Sequence, residues 1–251
     1  MPSYEPTRKG NPNQLPIRQH VFPRKSIERF TTPDGIVSFQ DLKRDIIRPA
    51  APNDTAFCAM RAWTRREETG FMQDIEAPFQ ALVDSLLASD EPQIPESSFK
   101  DCSRFYALWE ARALMRELPS QEEQLNGVAG DALTKEQEEN LESNGYGFVR
   151  EGGRFPTRQL NGLQLMVRTD WLMSTEIGTA TWGIIKVHGG ELLVPDTPVR
   201  AVIPITPTMM LAADTDASVI DIHLPDLIEV NKAFRASSKA YLFARSLSAC
   251  P

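Results

Sequence analysis

His20, Asp196 and Asn231 are the polar residues whose types and surroundings could do chemistry in this chain. His20 lies in Gln19–Phe30, beside the rigid Pro23 and the bases Arg18, Arg24 and Lys25, which would hold its imidazole unprotonated. A neutral imidazole there can act as a general base or a metal ligand; the structural alternative is a bond to a backbone carbonyl that sets the turn into Pro23. Asp196 and Thr197 sit between Pro195 and Pro198, so the carboxylate is presented on a stiff loop. There it can orient an imidazole, hold a divalent cation such as Mg2+ or Mn2+, or cap backbone amides in an Asx turn. Asn231 falls in the apolar setting of Val230 and Phe234, where a mid-helix amide needs a partner, either a neighbouring loop or a substrate. Arg112, Arg24 and Arg29 are candidate ligands for an anionic substrate, and pairing with acids is the ordinary fate of such arginines.

Charge and composition narrow the classes. Of 251 residues, 41% are hydrophobic and 24% charged, the profile of a packed domain. Thirty-four acids against 27 bases leave a formal charge of −7, which argues against a coat of positive potential for duplex binding. The sign reverses locally: up to Phe30 the bases Arg8, Lys9, Arg18, Arg24, Lys25 and Arg29 face only Glu5 and Glu28. Cys58, Cys102 and Cys250 have no paired spacing and fit a reducing cytoplasm. The first twenty residues have no apolar core of a secretory signal, and Ala201–Ala213, cut by Pro204 and Pro207, is too short to cross a bilayer. No His-x-x-x-His, Walker loop, Gly-x-Gly-x-x-Gly or Gly-x-Ser-x-Gly occurs, which disfavours zincins, P-loop enzymes, dinucleotide oxidoreductases and α/β-hydrolases.

The elements that must position these residues read as one α+β domain over residues 16–251, behind an irregular arm over 1–15. Thr31 to Phe39, with the adjoining Arg29 and Phe30, reads as strand, turn and strand. Ile75, Phe79, Leu82, Val83 and Leu86 predict a helix starting near Glu76, because Pro78 fits a first turn. Ser98 and Asp101 predict a cap for a second helix, with Pro119 beyond its end. Residues 118–157 read as an acidic, Gly-rich insertion, mobile or a solvated helix, that offers a surface to a protein partner. Leu160, Leu163, Val167 and Trp171 mark one side of a further helix. Trp182–Val187 and Glu191–Val194 predict a hairpin over His188, Gly189 and Gly190. Val202–Ile205 and Met209–Ala213 predict two more strands of a small, mostly antiparallel sheet, and Leu227, Val230, Phe234 and Tyr241 predict a last helix running to Arg245.

Four segments, in order, resemble the microbial family catalogued as domain of unknown function 4238. They are His20-Val21-Phe22-Pro23 with Ile27, Arg29 and Phe30; Ile75-Glu76; Trp182 with Leu192–Val199 and Ile203–Pro207; and Val230-Asn231 with Ala240-Tyr241. Arg112 resembles an arginine of the family's middle helix. Pro195 departs from the pattern, which has Ser there, so any role of that hydroxyl is lost. The resemblance implies a shared fold and groups His20, Asp196 and Asn231 in one family pattern, but it supplies no reaction.

The expectation is a hydrolase-like protein acting on an anionic substrate, foremost a phosphodiester in nucleic acid or a nucleotide. His20 would be base or metal ligand, Asp196 its orienter or a Mg2+ ligand, and arginine would neutralise developing charge. A nuclease in microbial defence, or a toxin, is one version. The competing expectation is a non-catalytic module for a protein or nucleic-acid partner, in which the same residues lock loops together. Convergence on an open cleft favours the first; burial with polar atoms satisfied by backbone favours the second.

Overall fold

The computed structural model of the chain describes residues 4–118, 122–215 and 218–251. Its elements are, in order, β1 (Arg18–His20), α1 (Arg24–Glu28), β2 (Val37–Asp41), β3 (Ile46–Ala50), β4 (Cys58–Met60), α2 (Arg65–Glu67), α3 (Gln73–Ala88), α4 (Phe99–Glu117), β5 (Glu122–Gln124) and α5 (Lys135–Ser143). There follow β6 (Arg154–Pro156), α6 (Thr157–Leu172), β7 (Trp182–Val187), β8 (Val194–Pro195), β9 (Val202–Thr206), β10 (Met209–Ala213), β11 (Val219–Ile222), α7 (Leu224–Ser237) and β12 (Tyr241–Ala244). The fold is α+β. One four-stranded sheet runs β11-β7-β10-β9, with β7 and β11 parallel and the other pairs antiparallel. A second, β3-β2-β12-β8, is antiparallel throughout and joins strands from both halves of the chain.

Helix α4 is the centre of the core. Apolar residues surround nearly its whole circumference, so it buries Cys102, Phe105, Tyr106, Leu108, Trp109 and Met115 together. Phe105 stacks on Phe79 of α3 at 3.7 Å between centroids, and Trp109 meets Phe22 at 4.7 Å. Val21, Phe22, Ile27 and Phe30 are all fully buried, so the apolar half of the His20 segment is core. Phe30 sets its edge on Phe243 of β12, which brings the late strand onto the early segment.

Several elements differ from their sequence expectation. Pro23 immediately precedes α1, so residues 24–28 are helix; the expected turn at Thr32–Ile36 forms, but the hairpin is β2 with β3. Helical geometry begins at Arg65, well before Glu76, and a π-helical turn over Glu68–Met72 joins α2 to α3, with Pro78 tolerated inside. Ser98 makes no side-chain cap; α4 ends at Glu117, and Pro119 lies outside the described residues. The 182–194 hairpin does not form, because β7 pairs with β10 and β11 while β8 crosses to β12. Helix α7 stops at Ser237, since Ser238 turns extended and Tyr241 enters β12.

Two corrections bear on function. Residues 135–143 form α5, opened by a Thr134–Gln137 capping box, and three of its four acids point inward: Glu138, Glu139 and Glu142 are buried, while Glu136 is exposed. They meet Arg150, Arg8, Arg61 and Arg158, so they are not a surface for a partner. Residues 4–15, although irregular, dock on this network through Glu5 and Arg8, and Leu15 is buried.

Helix α6 is turned the other way from its apolar stripe. Leu163, Val167 and Trp171 are 49%, 69% and 44% exposed, whereas Arg158, Asn161, Gly162, Leu165, Thr169 and Leu172 are buried. Asn161 donates to the Ala62 carbonyl at 2.9 Å, and Gly162 lets α6 approach α2 so closely that a Cβ would lie 2.6 Å from the Glu67 carboxyl. Polar anchors and a close backbone approach chose the inner face.

Candidate functional site

β1 carries His20 opposite Cys58 of β4, and the ring's Nε2 lies 2.9 Å from the Pro52 carbonyl. That contact makes Nε2 the donor and leaves Nδ1 as the basic nitrogen. Burial lowers the imidazole below its ordinary pKa of 6.5, against the Pro52 bond and the nearby Glu68 and Glu76; Arg112 adds to the lowering. Arg112 comes from α4. Its Nη1 donates to Glu76, while Nε and Nη2 donate to the Met72 sulfur at 3.3 and 3.0 Å. Glu76, in the first turn of α3, is therefore the partner of Arg112. His20, Arg112 and Glu76 share one neighbourhood.

Asp196 is committed to the backbone. Its Oδ1 accepts from Lys239 N at 2.8 Å, and Oδ2 accepts from Ala240 N at 2.8 Å and Tyr241 N at 3.3 Å. Arg116 completes the set at 3.4 Å, donates to the Ala56 carbonyl and covers the Tyr241 ring at 4.6 Å. These amides belong to the residues between the end of α7 and the start of β12, so the carboxylate fixes the entry into that strand. Both oxygens face N–H donors and a guanidinium, a setting that does not favour a cation. Among the described residues no group of three His, Cys, Asp or Glu is arranged to hold a metal.

Asn231, fully buried on α7, accepts from Leu193 N and donates to the Glu191 carbonyl, each at 2.9 Å. Asn231 and Asp196 thus anchor two ends of one segment, 191–196. None of the hydrogen bonds made by His20, Asp196 and Asn231 runs between them. Asn231 ties its helix to segment 191–193, and Asp196 caps backbone amides, though these are 43, 44 and 45 positions away and not in a local Asx turn.

The bases at the start of the chain are partly paired. Arg24 pairs with Glu28 at 2.8 Å, and Arg29 and Lys25 share Asp84 at 2.9 and 2.5 Å. Arg24 is an exposed ion-pair member, whereas the Arg29 side chain is 11% exposed and its Nη1 is buried with no acceptor among the described residues. All three cysteines are free and buried, and burial pushes Cys58 up to about 11, where the reactive thiolate is scarce.

Sequence reasoning passed over Arg116. Its signal is spacing: it stands one turn beyond Arg112, so the two side chains lie along one face of α4, one toward His20 and the other toward Asp196. It also passed over a surface cavity of about 430 Å³ beside Gly189, Glu191, Thr208, Arg245 and Ala249, formed where the chain leaves β7.

No family model, curated protein or solved structure matches the chain. Among the described residues no helix is long and apolar enough to cross a membrane.

Proposed function

We propose that the protein is a non-catalytic recognition module for a protein partner, in which Asp196 and Asn231 lock loops in place. The observation that carries this reading is the commitment of both residues' polar atoms to backbone groups of segments 191–193 and 239–241. A carboxylate so engaged has lone pairs directed at amides, and releasing one would leave a buried N–H unpaired. The outward stripe of Leu163, Val167 and Trp171 supports an apolar protein partner, since contiguous exposed apolar residues mark contact surfaces. The formal charge of −7 and the pairing of Arg24 with Glu28 favour protein over nucleic acid. Kinship with the family of unknown function 4238 is part of this proposal and rests on the four segments alone. The free thiols of Cys58, Cys102 and Cys250 support a cytoplasmic setting.

A second reading, phosphodiester hydrolysis at His20, draws on one observation: the basic Nδ1 beside Arg112 on a ring whose pKa burial lowers. One experiment separates the two. Purified protein is incubated with RNA, DNA and nucleotides, with and without Mg2+ or Mn2+, beside His20→Ala. The recognition reading expects no turnover. Hydrolysis abolished in His20→Ala at unchanged thermal stability installs the enzyme.

A further inference from the structure

Glu5 reaches a nest of cations contributed by distant parts of the chain. One carboxylate oxygen meets Lys135 and, at 2.6 Å, Arg150 Nη2; the other meets Arg158 Nη1 at 2.5 Å. Arg61 donates to the Glu5 carbonyl at 2.9 Å. Arg61 and Arg158 are both nine-tenths or more buried and share Glu142, each at 2.8 Å. Two further buried donors, Arg61 Nε and Arg158 Nη2, find no acceptor among the described residues. The nest thus holds more N–H donors than a two-oxygen carboxylate can satisfy. With Glu5 lifted away, Arg61, Lys135, Arg150 and Arg158 would face Glu122, Glu138 and Glu142, leaving one positive charge uncompensated.

The segment that brings Glu5 there is built as a strap. Arg8 is tied to Glu139 by its backbone N–H at 2.6 Å and its Nε at 3.2 Å. Beyond it Gly10, Asn11 and Gln14 all take positive φ, a short left-handed stretch before the buried Leu15. Lys9 and Gly10 are exposed.

We propose that this nest is an oxyanion-binding site, that the Glu5 carboxylate occupies it from within the chain, and that a small phosphate-bearing ligand takes it when the strap lifts. Phosphate is the better match because it brings more acceptor oxygens than the two of Glu5, and guanidinium forks fit them in pairs, although Glu142, the shared counter-ion of Arg61 and Arg158, also has an oxygen, Oε1, that finds no donor among the described residues.

The test uses the full chain and inorganic phosphate, against chloride at equal ionic strength so that screening is matched. Trypsin cleavage after Lys9 is followed by mass spectrometry. If phosphate displaces Glu5, cleavage of the wild-type chain speeds up several-fold, and Glu5→Gln is cleaved at the fast rate without phosphate. In a thermal melt, phosphate raises the midpoint of Glu5→Gln more than that of wild type, and adding Arg158→Lys removes the gain. Wild-type cleavage that ignores phosphate overturns the proposal, and that arm decides even if Glu5→Gln fails to fold. An equal thermal shift in Glu5→Gln and wild type overturns it as well.

Discussion

Asn231 holds Leu193 by its backbone: the side-chain oxygen accepts the Leu193 N–H at 2.9 Å while the amide nitrogen donates to Glu191 two residues earlier. The side chain replaces a strand partner for a segment that leaves one sheet and enters the other. Asn231→Ala strands a buried donor and a carbonyl together, so it costs about 2–4 kcal/mol. Denaturant unfolding reads this as a lower midpoint at an unchanged slope. Stability within error of wild type would remove Asn231 from the scaffold.

Glu142 lies between two buried guanidiniums, those of Arg61 and Arg158. Glu142→Ala leaves both without their shared counter-ion, and the expected loss is about 3–5 kcal/mol. An exposed pair such as Arg24–Glu28 gives the contrast: Glu28→Ala changes stability by less than about 1 kcal/mol. Equilibrium unfolding of both variants ranks them, and the reverse order would contradict the buried network.

Acid acts on this protein through several groups of lowered pKa, with Glu5 and His20 joined by Asp54, Asp84 and Asp221. Burial raises the Glu5 carboxyl, but Arg158, Lys135 and Arg150 outweigh it and hold the group at about 2 against an ordinary 4.5. A depressed carboxyl contributes stability above its unfolded value and loses it as pH falls through the folded one, so Glu5 acts from pH 4.5 down to about 2. His20, lowered from 6.5 by burial, loses its contribution as pH falls below 6.5. Thermal midpoints taken against pH therefore decline in two stages. Glu5→Gln shrinks the lower one, to which Asp54 and Asp84 also contribute, and His20→Gln flattens the upper; a profile of wild-type shape in either variant counts against the assigned group.

The two faces of α6 should respond oppositely to mutation. Val167→Asp on the outward stripe shifts stability by less than about 0.5 kcal/mol, whereas Leu165→Ala in the core costs about 2–5 kcal/mol. Gly162→Ala belongs with the core, because its Cβ meets the Glu67 carboxyl. Circular dichroism melts distinguish these outcomes. A large loss in Val167→Asp would mean that the stripe is buried.

Periodicity by itself determined that residues 75–86 and 160–172 are helical, that 202–205 and 209–213 are strands, and that the class is α+β, because local spacing and turn residues encode which backbone forms. The same spacing marks α6 as amphipathic but cannot say which face goes inward. That choice fell to Gly162, Asn161 and Arg158, whose partners at positions 62, 67 and 142 are distant in sequence. The acids of α5 look solvated in sequence for the same reason, since their arginines lie up to 131 positions away. Asp196 and Asn231 were legible as polar residues that needed partners. Only the tertiary structure decided that the partners are backbone amides and carbonyls, because such groups are present at every residue and have no signature in the side-chain sequence.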